Sequence, residues 1–230
     1  KWCLNAKTNL VLNCLDKHRG TPGWDKTYLI WEGEDGEKRE FTYAEFDAEV
    51  CRFAGALRAQ GIGRGDVVAT YIPMLPEAMI SLFAILKIGA IVLPLFSGFG
   101  PEPLRVRLGD GEARAVVTAD GGPRRSVPSP MKSILDEALA DCPSVEHVFV
   151  VQRLGGAVEC PMTPGRDHWW HEAVADHPRE LETERTDAEE IGFLVYTSGT
   201  TGKPKCVLMS HVGAGTKIAL DIGVRFDFGE

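Results

Sequence analysis

The sequence has no excess of positive charge. Its 230 residues hold 25 Lys and Arg against 33 Asp and Glu, a net charge of −8. A chain this acidic lacks the basic face that a nucleic-acid backbone requires. General nucleic-acid binding is therefore excluded, while a local basic pocket for phosphate is not. There is no Cys-x-x-Cys pair either. The six cysteines, at 3, 14, 51, 142, 160 and 206, follow no disulfide-framework spacing, and Cys51 sits inside an apolar pattern, Val50-Cys51-Arg52-Phe53. This excludes a disulfide scaffold and predicts reduced thiols in a cytoplasmic setting. No signal peptide, internal repeat or low-complexity tract is recognisable. The chain opens on Lys1 and closes on Phe228-Gly229-Glu230 after a helix-like stretch, and both ends read as cuts rather than natural termini.

Uninterrupted apolar runs are also missing. Ala78 to Phe96 is long enough to cross a bilayer, but Ser81, Lys87, Gly89 and Pro94 interrupt it. Pro76-Glu77 opens a helix, Lys87 and Gly89 close it, and Ala90 to Leu93 reads as a short buried strand, so no membrane span is expected. The metal-binding pattern His-Glu-x-x-His is absent too. His168-Trp169-Trp170-His171, with Asp167, Glu172 and His177 nearby, forms no defined coordination set, and its Trp pair reads as a packing anchor.

Hydrophobic residues make up 44% of the chain, enough to bury a sizeable core in one large domain or part of a larger one. Most of the sequence alternates between strand and helix patterns. Tyr28–Trp31 and Lys38–Phe41 read as strands. Thr42 and Glu45 form a capping box for a helix that carries Phe46, Val50, Phe53 and Leu57 on one face. A strand over Asp66–Ile72, the helix over 76–88 and a strand over 90–95 follow. A helix from Pro101 to about Leu108, a strand over Ala113–Thr118, a helix capped by Ser129-Pro130 and a strand over Val148–Val151 complete the alternation. This rhythm predicts an α/β fold, a parallel sheet with helices on both faces. Gly155 to Glu190, rich in Pro, Gly and acidic residues, reads as a surface wrap before a buried strand over Ile191–Tyr196.

The most informative stretch is Tyr196-Thr197-Ser198-Gly199-Thr200-Thr201-Gly202-Lys203-Pro204-Lys205. A strand that feeds a Gly/Ser/Thr loop presents backbone N–H groups and hydroxyls to phosphate oxygens. A Walker A loop fails on spacing, because it needs four residues between its glycines before Lys and Ser/Thr open a helix. Here only Thr200 and Thr201 separate Gly199 from Gly202, and Pro204 has no N–H to offer. Cys206–Met209 then reads as a second strand, so the loop is a hairpin-like flap between strands.

This ten-residue stretch resembles the phosphate loop of the adenylate-forming superfamily. Its one departure is Cys206, where many members carry Gly. Three further segments resemble the acetyl/propionyl-CoA synthetase branch. They are the opening Trp2, Thr8-Asn9 and Asn13-Cys14-Leu15-Asp16; the stretch Ile30-Trp31-Glu32-Gly33-Glu34-Asp35-Gly36; and Thr118-Ala119-Asp120-Gly121-Gly122 with Arg124-Arg125. The likeness spans nearly all 230 residues. It implies an AMP-forming acid–thiol ligase that joins a small carboxylic acid to AMP and passes the acyl group to coenzyme A, with ATP, Mg²⁺ and CoA as cofactors. The ATP phosphates fall to Thr197, Ser198, Gly199, Thr200, Thr201, Gly202, Lys203 and Lys205. Arg124 and the turn Phe96-Ser97-Gly98-Phe99 are implied near the CoA nucleotide. A second Arg of the branch falls on Val127, which leaves the clamp incomplete unless Arg125 substitutes.

The resemblance also implies that residues 1–230 are the N-terminal part of a large domain. The adenine, ribose and acyl-pocket residues and the lysine of a C-terminal domain are then expected downstream, so the piece by itself is expected to be inactive. Two alternatives stay open: an adenylation domain that loads a carrier-protein thiol, and a non-catalytic binding protein with half the fold. His211 also carries two readings, a substrate-side role or the first residue of a helix capped by Ser210.

Overall fold

The structure, a computed structural model, describes residues 3–124, 127–197 and 204–225. Strand β1 (Lys7–Thr8) and helix α1 (Leu10–Cys14) lead through a 3-10 turn at Asp16–His18 to the hairpin of β2 (Thr27–Glu32) and β3 (Lys38–Thr42). Then come α2 (Tyr43–Ala59), β4 (Val67–Tyr71), α3 (Pro76–Lys87), β5 (Ile91–Pro94), α4 (Pro101–Asp110) and β6 (Ala115–Ala119). A small hairpin of β7 (Gly122–Arg124) and β8 (Val127–Ser129) precedes α5 (Met131–Leu139), β9 (His147–Val151), β10 (Asp167–Trp169), α6 (Trp170–Ala175) and β11 (Thr186–Asp187). The chain continues through β12 (Ile191–Thr197), β13 (Lys205–Ser210) and α7 (His211–Ala219), which runs into a π turn at Leu220–Arg225.

One seven-stranded sheet, ordered β10-β9-β6-β4-β5-β12-β13, organises the molecule. All neighbouring strands are parallel except the β12–β13 hairpin. Successive strand residues point to opposite faces, and both faces are covered. Val68, Val92, Val117 and Phe149 pack with residues of α1, α2, α3 and α6 on one side. Ala69, Leu93, Val116 and Val150 pack with α4 and α5 on the other. The expected fold class is therefore the observed one. The capping box is also present: Glu45 N–H donates to Thr42 Oγ1 at 3.2 Å, and Thr42 N–H donates to the Glu45 carboxylate at 2.9 Å. The expected core face of α2, Phe46, Val50, Phe53 and Leu57, is 0% exposed at every position.

Three expectations need correction. The stretch from 155 to 190 is not only a surface wrap, because β10 pairs with β9 and extends the main sheet. The Trp pair causes this. Trp169 packs into the core of the α4–α5 face, while Trp170 stacks on Phe53 with ring centroids 4.0 Å apart on the opposite face. Ser129 does not cap α5; it ends β8, and Pro130 holds the cap position without a side-chain hydrogen bond. Strand β12 is only partly buried. Gly192 and Leu194 face inward, but β13 beside it is the edge strand, and its Val207 and Leu208 are 43% and 59% exposed.

Among the described residues, no helix is long and apolar enough to cross a membrane. The lysine that interrupts the apolar run is itself buried. Lys87 Nζ lies 3.3 Å from both Asp16 and Asp47 and donates to Thr183 Oγ1 at 3.0 Å. A buried ammonium is tolerated only with such partners. They tie the N-terminal segment to α2 and α3.

Candidate phosphate and nucleotide site

Strands β4, β5, β6 and β12 run in one direction, so Tyr71, Pro94, Ala119 and Thr197 end at one edge of the sheet. Ligands of open α/β sheets gather at this carboxyl edge. The loop under consideration springs from it. Thr197 pairs with Lys205 across the hairpin, and Thr197 Oγ1 donates to Lys205 O at 3.4 Å. Both residues are exposed, and Lys205 has no carboxylate partner among the described residues. Thr197 and Lys205 thus face each other across the hairpin mouth. Ser198, Gly199, Thr200, Thr201, Gly202 and Lys203 lie outside the described residues, as does Arg125.

The other expected elements come together a short way along the same edge. A notch of about 110 Å³ is lined by Pro73, Phe96, Gly98, Gly122, Pro123 and Met131. It joins the turn containing Gly98 to the hairpin whose β7 ends at Arg124. Of the glycines at and beside this notch, Gly121 is the more constrained. A Cβ on Gly98 would lie 2.5 Å from the Phe96 ring, and one on Gly121 would lie 2.6 Å from the carbonyl oxygen of Ser129. Phe96 is 64% exposed and can swing aside, whereas the Ser129 carbonyl is fixed in the hairpin. Across the hairpin Arg124 pairs with Val127, which is also 64% exposed. The position of the missing second Arg is therefore directly opposite the first. The side chain of Arg124 lies outside the described atoms.

Asp120 holds this edge in place. It is 1% exposed, and its carboxylate accepts the backbone N–H groups of Gly121 at 2.7 Å, Arg153 at 2.9 Å, Leu154 at 3.0 Å and Gly155 at 2.8 Å. A carboxylate with this many N–H donors needs no counter-ion to stay buried. Arg153 then reaches the β2–β3 hairpin, donating to Asp35 at 3.0 Å and Glu37 at 2.8 Å, with its guanidinium 5.3 Å from the Trp31 ring centroid. Sequence reasoning missed Arg153. The available signal was the coexistence of the Trp31–Gly36 and Thr118–Gly122 segments, which Arg153 and Asp120 connect.

The histidines sort differently. His211 is the first residue of α7, and Ser210 caps that helix by accepting from Gly213 N–H at 3.1 Å. Its Nδ1 accepts from Leu10 N–H at 3.2 Å, while the buried Nε2 has no hydrogen-bond partner among the described residues. Burial holds the imidazole below its ordinary pKa. Ser210 pairs with Ile191 at the start of β12, whereas the loop leaves from its other end. At about 3.3 Å per residue, His211 stands roughly 20 Å from the loop. The helix-start reading is the one this placement supports. His168 sits 3.3 Å from His147, which is likewise held below its usual pKa, first by burial and then by its neighbour. Among the described residues, no group of three or more His, Cys, Asp or Glu side chains is placed to hold a metal.

A mostly parallel sheet with helices on both faces thus carries the β12–β13 hairpin and the notch on its carboxyl edge, where open α/β sheets gather ligands. The model of the family described as AMP-binding enzyme matches residues 15–228. The acetyl-coenzyme A synthetase of Gemmatimonas aurantiaca is 45% identical, across 100% of this chain and 36% of its own length. Acetyl-coenzyme A synthetase 2 of Pseudomonas putida is 42% identical, across 99% of this chain and 35% of its own. A crystal structure of an acyl-CoA synthetase from Brucella canis aligns with a TM-score of 0.77 and 25% identity, over 95% of this chain and 36% of that one. The chain belongs to the AMP-binding enzyme family, and it spans about a third of the length of these relatives.

Proposed function

We propose that this chain is the N-terminal part of the large domain of an AMP-forming acyl-CoA synthetase, with ATP, Mg²⁺ and CoA as cofactors and a small carboxylic acid as substrate. The single observation that carries the reading is the match along the whole chain to acetyl-coenzyme A synthetases. The hairpin that springs from the carboxyl edge agrees with it. Thr197, Ser198, Gly199, Thr200, Thr201 and Gly202 hold the ATP phosphates through hydroxyls and backbone N–H groups, and Lys203 and Lys205 add positive charge. Mg²⁺, bound with the nucleotide, neutralises phosphate charge. The donor set fits, because exposed Thr197 and Lys205, which has no carboxylate partner among the described residues, pair across the hairpin mouth. Activation of the acid is then a displacement governed by positioning and charge stabilisation, for which the protein supplies no nucleophile of its own.

The CoA nucleotide docks on the surface where the Gly98 turn and the Gly122 hairpin meet. Arg124, with Arg125 beside it, takes the phosphate. Guanidinium groups suit that task through their planar fork of donors. The unpaired thiols fit a reducing, cytoplasmic compartment. The test is product analysis of the full-length protein with acetate, ATP, Mg²⁺ and CoA. Acetyl-CoA, AMP and pyrophosphate are expected in equal amounts. ADP and phosphate, or an acyl product only on a carrier-protein thiol, overturn the reading.

A further inference from the structure

The two candidate surfaces are separate in sequence, yet one helix touches both. Helix α4 begins immediately after the turn that carries Gly98 and Phe99, and it buries Leu104 and Leu108 completely. Its last turn presents Arg107 and Asp110, three residues apart and so on neighbouring positions of the helix surface. The Arg107 guanidinium lies 4.5 Å from the Phe99 ring centroid and 5.6 Å from that of Tyr196. Asp110 accepts a hydrogen bond from the Tyr196 hydroxyl. Tyr196 directly precedes Thr197, where the hairpin mouth opens. On the other side, Tyr71 donates its hydroxyl proton to the carbonyl of Phe99 at 2.9 Å. Arg107 is itself steadied by a 2.8 Å bond to Pro103 O.

We propose that Arg107 and Asp110 are positioning residues that set the root of the phosphate loop against the Phe96–Phe99 turn, so that the nucleotide-phosphate and CoA surfaces are held in one fixed relation. The assignment of those two surfaces rests on the function proposed above. Neither residue touches substrate. Arg107 acts by spanning two aromatic rings that belong to different surfaces, and Asp110 acts by fixing the ring nearest the loop. A cation held between two π faces resists displacement of either ring. A displacement at one surface is therefore felt at the other.

The test is steady-state kinetics on the full-length protein with Arg107→Met and Arg107→Lys. Met keeps length and apolar contact but removes the charge and the planar fork. Arg107→Met is expected to raise the KM for MgATP in pyrophosphate exchange, measured without CoA, and the KM for CoA in thioester formation, each about fivefold, roughly what a ~1 kcal/mol cation–π contact confers. The unfolding midpoint and kcat stay close to wild type. Arg107→Lys restores part of both losses. The double variant Tyr196→Phe with Asp110→Ala is expected to be no worse than either single change. Both KM values within twofold of wild type in Arg107→Met overturn the proposal, and so does a lowered unfolding midpoint with both KM values unmoved. If the wild-type protein shows no exchange and makes no thioester, the functional reading fails instead. The tie is then read on the protein by amide hydrogen exchange. Arg107→Met must speed exchange in both the 96–100 and 197–205 segments, and a change in neither or only one of them overturns it.

Discussion

Val127 and His211 show how much a single position decides in this molecule. Val127 stands across the β7–β8 hairpin from Arg124 and is 64% exposed, so a longer side chain is accommodated there. Val127→Arg is expected to complete a phosphate clamp. One added charge-assisted hydrogen bond is worth about 1.5 kcal/mol, so the KM for CoA of the full-length protein should fall about tenfold at low salt, and less at high salt. An unchanged KM would remove the hairpin from the CoA site. His211 bears on stability. Its imidazole is held below the ordinary value of about 6.5 by burial, and His147 is shifted in the same direction. Below that value the unfolded chain binds more protons than the folded one. Stability from these groups is therefore complete above about pH 6.5 and is lost as pH falls through that value toward the folded pKa. Urea unfolding at pH 7.5 and pH 5.5 should show the loss, and His211→Asn, which keeps an acceptor for Leu10 N–H, should show less of it. An equal loss in the variant rules out His211 as a contributor.

At the scale of elements, the β7–β8 hairpin is where the fold constrains chemistry most tightly. Gly121 has no room for a methyl group, because its Cβ would fall 2.6 Å from the Ser129 carbonyl, a backbone atom fixed by strand pairing. Gly121→Ala should therefore cost about 1–3 kcal/mol through overpacking and backbone shift, measured by urea unfolding. CoA affinity should fall more than affinity for ATP. Loss of both in equal measure would mean that the hairpin serves the whole fold and not one surface.

Legibility in the sequence also varied by element. Long periodic elements were readable: α2 from its capping box and apolar face, α3 from Pro76 to Lys87, and β4, β5, β6 and β9 from their apolar runs. Short elements were not. β10 has only three residues, Asp167-His168-Trp169, too few for any alternation to show, and it lies in a stretch whose Pro, Gly and acid content suggests a loop. Only its pairing with β9 makes it a strand. Thr197, Lys205, Gly98 and Arg124 were marked as candidates because they lie in contiguous motifs, whereas the β7–β8 hairpin that carries Arg124 was not foreseen. Arg153 and Arg107 act through partners distant in sequence, such as Trp31 and Tyr196, and no local pattern marks such pairs.

At the scale of the whole molecule, the chain covers about a third of the length of its relatives. The β12–β13 hairpin and the notch both lie on the carboxyl edge of the sheet. The 230-residue chain alone should bind MgATP more weakly than millimolar, less than about 4 kcal/mol of binding free energy, by titration calorimetry. Binding at millimolar or tighter would contradict this expectation. The central claim is that the Gly/Ser/Thr hairpin is the phosphate site of an acid-activating enzyme. Acetate-dependent exchange of pyrophosphate into ATP by the full-length protein measures it most directly. The wild type should exchange, and Thr200→Ala combined with Lys205→Ala should lower the rate at least a hundredfold, about 2.7 kcal/mol of lost charge stabilisation. Exchange in the double variant at the wild-type rate would contradict the claim.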